Sequence, residues 1–441
     1  MSDFGSAEAG PPIDFTPPQT HTLVPSNIHK KGTFEKLFLE GRPPVALGVT
    51  SGGDVFGGTE VTFSDVLGDK QFSMFASSVS QYRTMNFSYV NLSRRLQYAV
   101  QAYSQTQFYY GYDPGLLYGS EYAFVSRDQA IATQTARGAT IFGIYPFNRY
   151  GRVELSAGVY NYEQGYNDPN LQSVADEYQQ DQYGRLLFSS GSFMPFGVAY
   201  TRETTVFREY GPLAGNTMRI GYEYAPSVGS FLSRQTADVD ARYYLRLATN
   251  GVLAFRARGF KSWGEFPGYM YFGGNSELRG YDYLEFLGNK AFFLNAELRF
   301  PLIEAALTPI GVIGGLRGIA FAGLGSSGYE GLKMNVWTHD DITVTPLLGF
   351  RPNYETFTYE PIYGPPATIN GFKLVDGRAS YGVGLETFAL GFPIHFDWSW
   401  RTLMNKDYED YVFAYQGILE GESGSKWFRK PRFTVWIGYD F

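Results

Sequence analysis

Apolar and polar residues alternate along most of this chain, in short segments that turn residues separate. In residues 238–247, for example, Val239 and Tyr243 share one face, while Asp240 and Arg242 share the other. A period of two is that of a β-strand whose two faces meet different surroundings, and no helical period of useful length competes with it. No window holds the roughly 18 consecutive apolar residues that a membrane-spanning helix needs. The pattern therefore predicts an all-β protein.

Composition and the content of the two faces favour a transmembrane antiparallel β-barrel over a soluble β-sandwich. Aromatic residues make up 18% of the 441 residues. Charged residues also make up only 18%, against about 25% in soluble proteins. The polar faces of the segments carry arginine opposite aspartate or glutamate, which suits a hydrated lumen, and the apolar faces carry aromatic residues near segment ends, as membrane girdles do. A soluble sandwich also alternates, so it remains the alternative.

The number of segments and the gaps between them predict the organisation of this barrel. About sixteen candidate strands occur, and bacterial single-chain barrels have an even number. The longest gaps, which we place together on the extracellular rim, are 110–136, 163–184, 261–289, 326–379 and 402–431. We therefore predict a barrel over residues 41–441 with both termini on the periplasmic side.

Residues 1–40 are rich in proline and weakly patterned, which indicates a periplasmic lead-in or linker. The first residues lack the basic and apolar regions of a signal peptide. Because an envelope protein must be exported, we expect the sequence to be a mature form or a piece of a longer chain.

Charge and motif content exclude several function classes. The net charge of −7 argues against a nucleic-acid surface, and the absence of cysteine excludes a thiolate nucleophile or metal ligand. The four histidines are scattered, and His395 with Asp397 on one strand face is better explained as a polar pair on the lumen wall. Residues 323–328 match a dinucleotide-binding motif by letter only, without the strand and helix that give it meaning. We predict no enzyme activity, no cofactor and no metal site, and a barrel lipase or protease is the least favoured interpretation.

The segment 271–302 carries the most specific motif. A glycine-rich stretch holds Leu278, Arg279, Gly280 and Tyr281, and a strand whose polar face carries Glu297 follows directly. This arrangement resembles the outer-membrane assembly-barrel superfamily, also called the bacterial surface antigen family, which includes BamA, TamA and the two-partner-secretion transporters. The resemblance continues at 380–400 and 432–441. The stretches 198–226 and 57–69 are similar in particular to barrels fused to TolB-like propellers, which the chain resembles most. The family's POTRA domains are not present, since residues 1–40 are too short to form one.

The resemblance implies a structural role for the motif. In this family the arginine sits at the tip of the sixth extracellular loop, which folds back into the barrel, and pairs with acidic residues of the lumen wall. Arg279 is therefore expected to pair with Glu297, with Gly280 allowing a tight turn and Tyr281 packed inside with its hydroxyl hydrogen-bonded. The family usually has a second acid on the thirteenth strand, where this chain has Gly323. Glu297 is therefore expected to hold the arginine alone.

The resemblance also implies a function: insertion or translocation of protein, or of lipid, at the bacterial outer membrane. The expected partners are outer-membrane lipid, the barrel assembly machinery and a client or cargo protein, with no nucleic acid. A seam between the first and last strands would open, and we expect glycines to weaken it; these are Gly48, Gly52, Gly53 and Gly438. The apolar face of the last strand is the expected assembly signal, formed by Phe433, Val435, Ile437, Tyr439 and Phe441. The alternative is a passive pore or a membrane anchor for an upstream periplasmic module.

Overall fold

The computed structural model describes residues 37–40, 43–49, 55–79, 82–110, 131–183, 190–208, 211–248, 250–308, 311–353, 358–389, 392–422 and 424–438. Three strands of two or three residues join an antiparallel sheet whose main part is formed by sixteen strands in these ranges. The sixteen are β1 (Val45–Val49), β2 (Val55–Ser64), β3 (Lys70–Val79), β4 (Tyr82–Asn91), β5 (Gln97–Tyr110), β6 (Ile131–Pro146), β7 (Gly151–Tyr166), β8 (Phe196–Glu203), β9 (Gly211–Ala225), β10 (Arg234–Arg246), β11 (Val252–Trp263), β12 (Lys290–Thr308), β13 (Gly311–Gly328), β14 (Gly377–Ala389), β15 (Phe392–Thr402) and β16 (Arg432–Ile437).

Each of these strands pairs with the next one along the chain, from β1 to β16. The strands differ in length: β12 has 19 residues, whereas β1 has five and β16 has six. Among residues 43–49 and 424–438, which the structure describes, no ladder joins β1 to β16. A two-residue strand, Phe38–Leu39, also pairs with β2 at Ser64 and Phe63, so the sheet begins inside the predicted lead-in.

From β5 onwards, short and long connections alternate around the sheet, as the gaps in the sequence predict. One rim has turns such as 65–69, 92–96 and 147–150. The strand ends that flank the five longest connections lie at the other rim. These connections are 111–130, 167–195, 264–289, 329–376 and 403–431, and the first of them lies outside the described residues. We call these edges the short-turn rim and the long-loop rim.

The two faces of the sheet have the contents that the alternation predicts. Leu294 and Leu298 of β12 are exposed, while Glu297 and Arg299 on the other face of the same strand are buried. On β15, His395, Asp397 and Ser399 are buried on that second face as well. We call the face with the buried polar residues the inner face, because long-loop residues cover it, and the apolar one the outer face.

The long connections contain helices that the alternation does not predict. Helix α1 spans Pro169–Tyr183, and three short helices occupy the last connection: α2 (Lys406–Val412), α3 (Ala414–Leu419) and α4 (Lys426–Arg429). The expectation that no useful helical period exists is wrong for α1. Leu171, Ala175 and Gln179 recur every four residues and are buried, and the Asp168 side chain accepts from the Asn170 amide at 2.8 Å. No helix in the described ranges is long and apolar enough to cross a membrane.

Short strands make up the rest of the regular structure in these connections. They are Gly191–Phe193, Val206–Arg208, Met270–Phe272, Phe286–Gly288, Trp337–Thr338, Ile342–Val344, Leu347–Asn353, Thr358–Tyr363, Ala367–Ile369 and Lys373–Leu374. An apolar cluster joins three of the long connections to the inner face of β12. It brings together Leu278 and Tyr281, Leu374, Phe428, and Phe293 of β12. These three loops are therefore packed on the sheet rather than extended away from it.

Candidate functional site: a loop arginine on the inner face

The connection 264–289 reaches the inner face by a tight turn at Gly280. Gly280 has a φ of +88°, and a Cβ built on it would lie 2.9 Å from the Ser399 Cβ of β15. Both the positive φ and the close approach require glycine. The turn therefore sets the neighbouring Arg279 and Tyr281 side chains against the sheet.

Arg279 forms two ion pairs in a buried environment. Its Nη2 donates to Glu297 Oε1 of β12 at 2.7 Å, and its Nη1 donates to Asp397 Oδ1 of β15 at 3.3 Å. The side chains of all three residues are at most 3% exposed. Glu297 is shared, because Arg299 donates to its Oε2 at 2.7 Å. Buried charges need partners of this kind, so the guanidinium has a defined position between two strands.

The expectation that Glu297 holds Arg279 alone is wrong, because Asp397 is a second acid partner. Gly323 on β13, the position at which the resemblance led us to expect a second acid, lies under the loop. A Cβ there would come within 2.9 Å of both Leu278 Cδ1 and Asn295 Oδ1. An acidic side chain at this position would therefore require Leu278 or Asn295 to move. The second carboxylate comes instead from β15.

Aromatic rings enclose the same guanidinium and link it to the last strand. The Arg279 Cζ lies 4.6 Å from the Phe321 ring centroid of β13 and 5.6 Å from that of Trp436 on β16. Trp436 Nε1 donates to Asp397 Oδ2 at 2.8 Å, and the Trp436 ring stacks on His395 with centroids 3.7 Å apart. Cation–π contacts are strongest where water is excluded. Arg279 is therefore in contact with groups from β12, β13, β15 and β16.

Arg432, the first residue of β16, forms a second link between the loop and the last strand. It donates to the Gly280 carbonyl oxygen at 3.2 Å and to Asp282 Oδ1 at 2.6 Å. The sequence did not single out this residue. The alternation sets residues 432, 434 and 436 on one face. It therefore predicts that the Arg432 side chain points inward, but it does not predict which groups that side chain contacts.

Tyr281 fixes the far side of the turn. Its hydroxyl donates to the Ala379 carbonyl oxygen of β14 at 3.2 Å, and its ring packs edge-on against Phe286 at 5.1 Å. Burial raises the pKa of the Tyr281 phenol, so it stays protonated and remains a donor. The structure thus brings Leu278, Arg279, Gly280, Tyr281 and Glu297 together.

The inner face of β7 to β11 is also lined with paired charges. Arg219 of β9 bridges Glu154 of β7 at 3.4 Å and Asp238 of β10 at 2.5 Å. On β10, Asp240 accepts from Arg256 of the next strand at 3.0 Å. These pairs neutralise the wall locally, which lets many charges line one face without strong repulsion.

The structure describes some of the residues predicted for the seam and for the assembly signal, and the others lie outside the described ranges. Phe433, Val435 and Ile437 of β16 are exposed on the outer face, as the alternation predicts. Gly48 lies in β1, and the Gly438 amide donates to the Pro393 carbonyl oxygen at 3.1 Å. Gly52, Gly53, Tyr439 and Phe441 lie outside the described residues.

The described residues contain no group of three or more metal-ligating side chains. His395 and Asp397 are each engaged with the last strand: His395 Nε2 lies 2.9 Å from the Gly438 carbonyl oxygen, and Asp397 accepts from Trp436. The His395 and Asp397 side chains therefore both link β15 to the last strand.

Comparison with solved structures confirms the predicted fold, an antiparallel β-barrel of about sixteen strands with long loops. The chain is similar to BamA from Haemophilus ducreyi lacking POTRA domains 1-3, with a TM-score of 0.51 and 12% identity over 83% of this chain and 72% of that one. It also resembles CdiB from Acinetobacter baumannii, with a TM-score of 0.41 and 12% identity over 89% of this chain and 58% of that one. For CdiB from Escherichia coli the TM-score is 0.46 and the identity 12%, over 89% of this chain and 61% of that one. The chain thus spans less than two thirds of either CdiB protein.

No protein-family model matches the chain. No curated protein matches it either. At 12% identity the structural likeness shows the fold alone.

Proposed function

We propose that this chain is a bacterial outer-membrane barrel that assists protein insertion or translocation through a seam between β1 and β16. The observation that carries the proposal is the contact network from the Arg279 loop to Trp436 and Arg432 of the last strand. The partners would be outer-membrane lipid, the barrel assembly machinery and a client or cargo protein. No cofactor is needed for this work.

The outer face supports placement in a membrane. Large apolar side chains are exposed on it in strand after strand; examples are Ile220, Tyr243, Phe255, Leu294, Val383 and Val435. An apolar surface that runs over so many neighbouring strands is not tolerated in water, whereas a hydrocarbon layer covers it. The paired charges of the inner face suit a hydrated interior.

The seam is proposed on the lengths of its two strands and on the chemistry of a strand edge. β1 offers five residues and β16 offers six, so a ladder between them could hold only a few hydrogen bonds. An opened edge presents unpaired N–H and C=O groups, to which a client strand can add by β-augmentation. The loop contacts on β16 would decide when that edge becomes available.

Cross-linking to a client tests the proposal directly. Because the chain has no cysteine, Val435→Cys on β16 and Ile220→Cys on β9 each introduce a unique thiol on the outer face. We expect an unfolded barrel client, carrying one cysteine in its last strand, to form a disulfide with the β16 variant in lipid vesicles and little with the β9 variant. Equal cross-linking at both sites, or none at either during bilayer insertion, would favour the passive pore or anchor.

The C-terminal residue gives a second test. We expect deletion of Phe441 to reduce the amount of assembled barrel in cells by about tenfold while changing refolding into detergent by less than about twofold, because the assembly machinery would read the terminal aromatic residue. Folded protein is measured by its faster migration on unheated gels. Similar losses in both assays would mean that Phe441 serves packing alone.

A further inference from the structure

Two lysines lie side by side on the outer face at the long-loop rim. Lys261 of β11 and Lys290 of β12 are direct cross-strand partners. Like charges at such positions repel each other. Within the described residues, no carboxylate lies within ion-pair distance of either ammonium group. The Lys261 Nζ lies 5.3 Å from the Trp263 ring centroid, and the Lys290 Nζ gives one hydrogen bond to the Leu332 carbonyl oxygen at 2.7 Å.

An apolar groove of about 800 Å³ runs across the outer face beside these lysines. It crosses β9 to β14, and its lining includes Ala241, Ala257 and Ala296, with Phe255 and Tyr381 among the larger side chains. Between Ala257 and Lys261, Gly259 adds further open space, since a Cβ there would meet nothing within 4 Å. The groove and the two positive charges therefore lie on the same face, and each lysine is four positions along its strand from the nearest lining residue, Ala257 or Leu294.

We propose that this surface binds a lipid that carries a phosphate headgroup and at least two acyl chains, with the phosphate between Lys261 and Lys290 and hydrocarbon in the groove. Lys261 is four positions from Ala257 on the same strand, which is roughly 13 Å at about 3.3 Å per residue. This spacing suits a molecule with an anionic head and an apolar tail. A bound phosphate relieves the repulsion between the lysines, and acyl chains fill a groove that offers almost no polar partner.

The inference rests on the membrane placement in the proposed function, but not on the seam or on the loop contacts. It also separates two sources of the same anion. A lipid needs the lysines and the groove together, whereas free phosphate needs the lysines alone. Variants of each part therefore distinguish the two.

Native mass spectrometry of the full chain in detergent, titrated with phosphatidylglycerol or phosphatidylcholine, measures the binding. A basic residue near an anionic lipid surface is worth about fivefold in affinity, so the wild type should prefer phosphatidylglycerol by about thirtyfold. The double variant Lys261→Gln/Lys290→Gln should lose that preference, and Lys70→Gln, which removes a charge at the opposite, short-turn rim, should keep it. Ala257→Phe should weaken the binding of both lipids by about tenfold, and Ala102→Phe on the outer face of β5 should not.

Three results would overturn the inference. These are equal affinity of the wild type for the two lipids, an unchanged preference in the double lysine variant, and competition by millimolar inorganic phosphate that matches the lipid in affinity. Faster gel migration of each unheated variant establishes that the barrel is folded. Loss of lipid binding in folded barrels therefore counts against the lipid site and leaves the membrane placement intact.

Discussion

Arg279→Ala is expected to lower the free energy of unfolding by about 3 to 5 kcal/mol, because it removes one partner of buried ion pairs. Glu297 would retain Arg299, at 2.7 Å, but Asp397 would keep only the indole N–H of Trp436. The uncompensated charge should therefore fall mainly on Asp397. Denaturant unfolding in detergent, followed by gel migration, measures the loss.

A matched control is available in the connection 329–376. Arg351 pairs with Glu360 at 2.9 Å, but its side chain is 71% exposed, so Arg351→Ala should cost less than about 1 kcal/mol. Arg279→Lys should recover only part of the loss, because an ammonium lacks the planar fork that reaches two carboxylates. If Arg279→Ala costs no more than Arg351→Ala, the buried network does not stabilise the loop.

Double-mutant cycles separate the two acid partners of Arg279. We expect nonzero coupling energies for Arg279→Ala with Glu297→Gln and with Asp397→Asn. The coupling with Asp397 should be the larger, because Arg279→Ala leaves its carboxylate with the Trp436 indole N–H, whereas Glu297 keeps Arg299. A coupling energy near zero in both cycles would mean that the contacts do not act together.

Much of the site follows from the sequence because its side chains lie on strands. A period of two is enough to set Glu297 and Arg299 on one face of β12, and His395 and Asp397 on one face of β15. The glycine-rich turn at Gly280 likewise follows from the residues around Arg279. Local pattern therefore gives the direction of each side chain.

Which side chains meet does not follow from the sequence, because that depends on register and sheet curvature. Arg279 and Asp397 are 118 residues apart in the chain, and no local rule relates them. The contact of Leu278 with Gly323, at the position where an acid was expected, likewise depends on the folded loop. Helix α1 escapes sequence reasoning for a different reason: its periodic positions include glutamine, so the apolar signal is weak.

The last strand should be the part of the barrel most sensitive to loss of Trp436. Its indole contacts three groups: the His395 ring, the Asp397 carboxylate and the Arg279 guanidinium. Truncation of a buried aromatic residue typically costs about 3 to 5 kcal/mol. β16 has a ladder of only six residue pairs with β15. We therefore expect the loss to appear as local opening of β16 rather than as uniform destabilisation.

Hydrogen exchange of backbone amides measures this opening. In Trp436→Ala, the amides of β16 should exchange at least about 100-fold faster, which corresponds to about 2.7 kcal/mol, while those of β6 and β7 should change little. Trp398→Ala is the matched control. The Trp398 ring of β15 packs on the Phe433 ring of β16, with centroids 5.0 Å apart, but on the outer face and away from the loop. Similar exchange in the two variants would mean that ordinary packing, and not the loop network, holds β16.

The same pair of variants connects the network to the proposed seam. If the loop holds the β16 edge closed, Trp436→Ala should raise client cross-linking at Val435→Cys by about tenfold or more, whereas Trp398→Ala should not. Arg432→Ala removes the second loop contact with β16 without touching the indole, and should act in the same direction but more weakly, because the Asp282 carboxylate that it leaves behind is largely exposed. Faster exchange without increased cross-linking would show that β16 can loosen without exposing an edge to a client. The contacts would then hold a strand in place, and the passive barrel would be the better account.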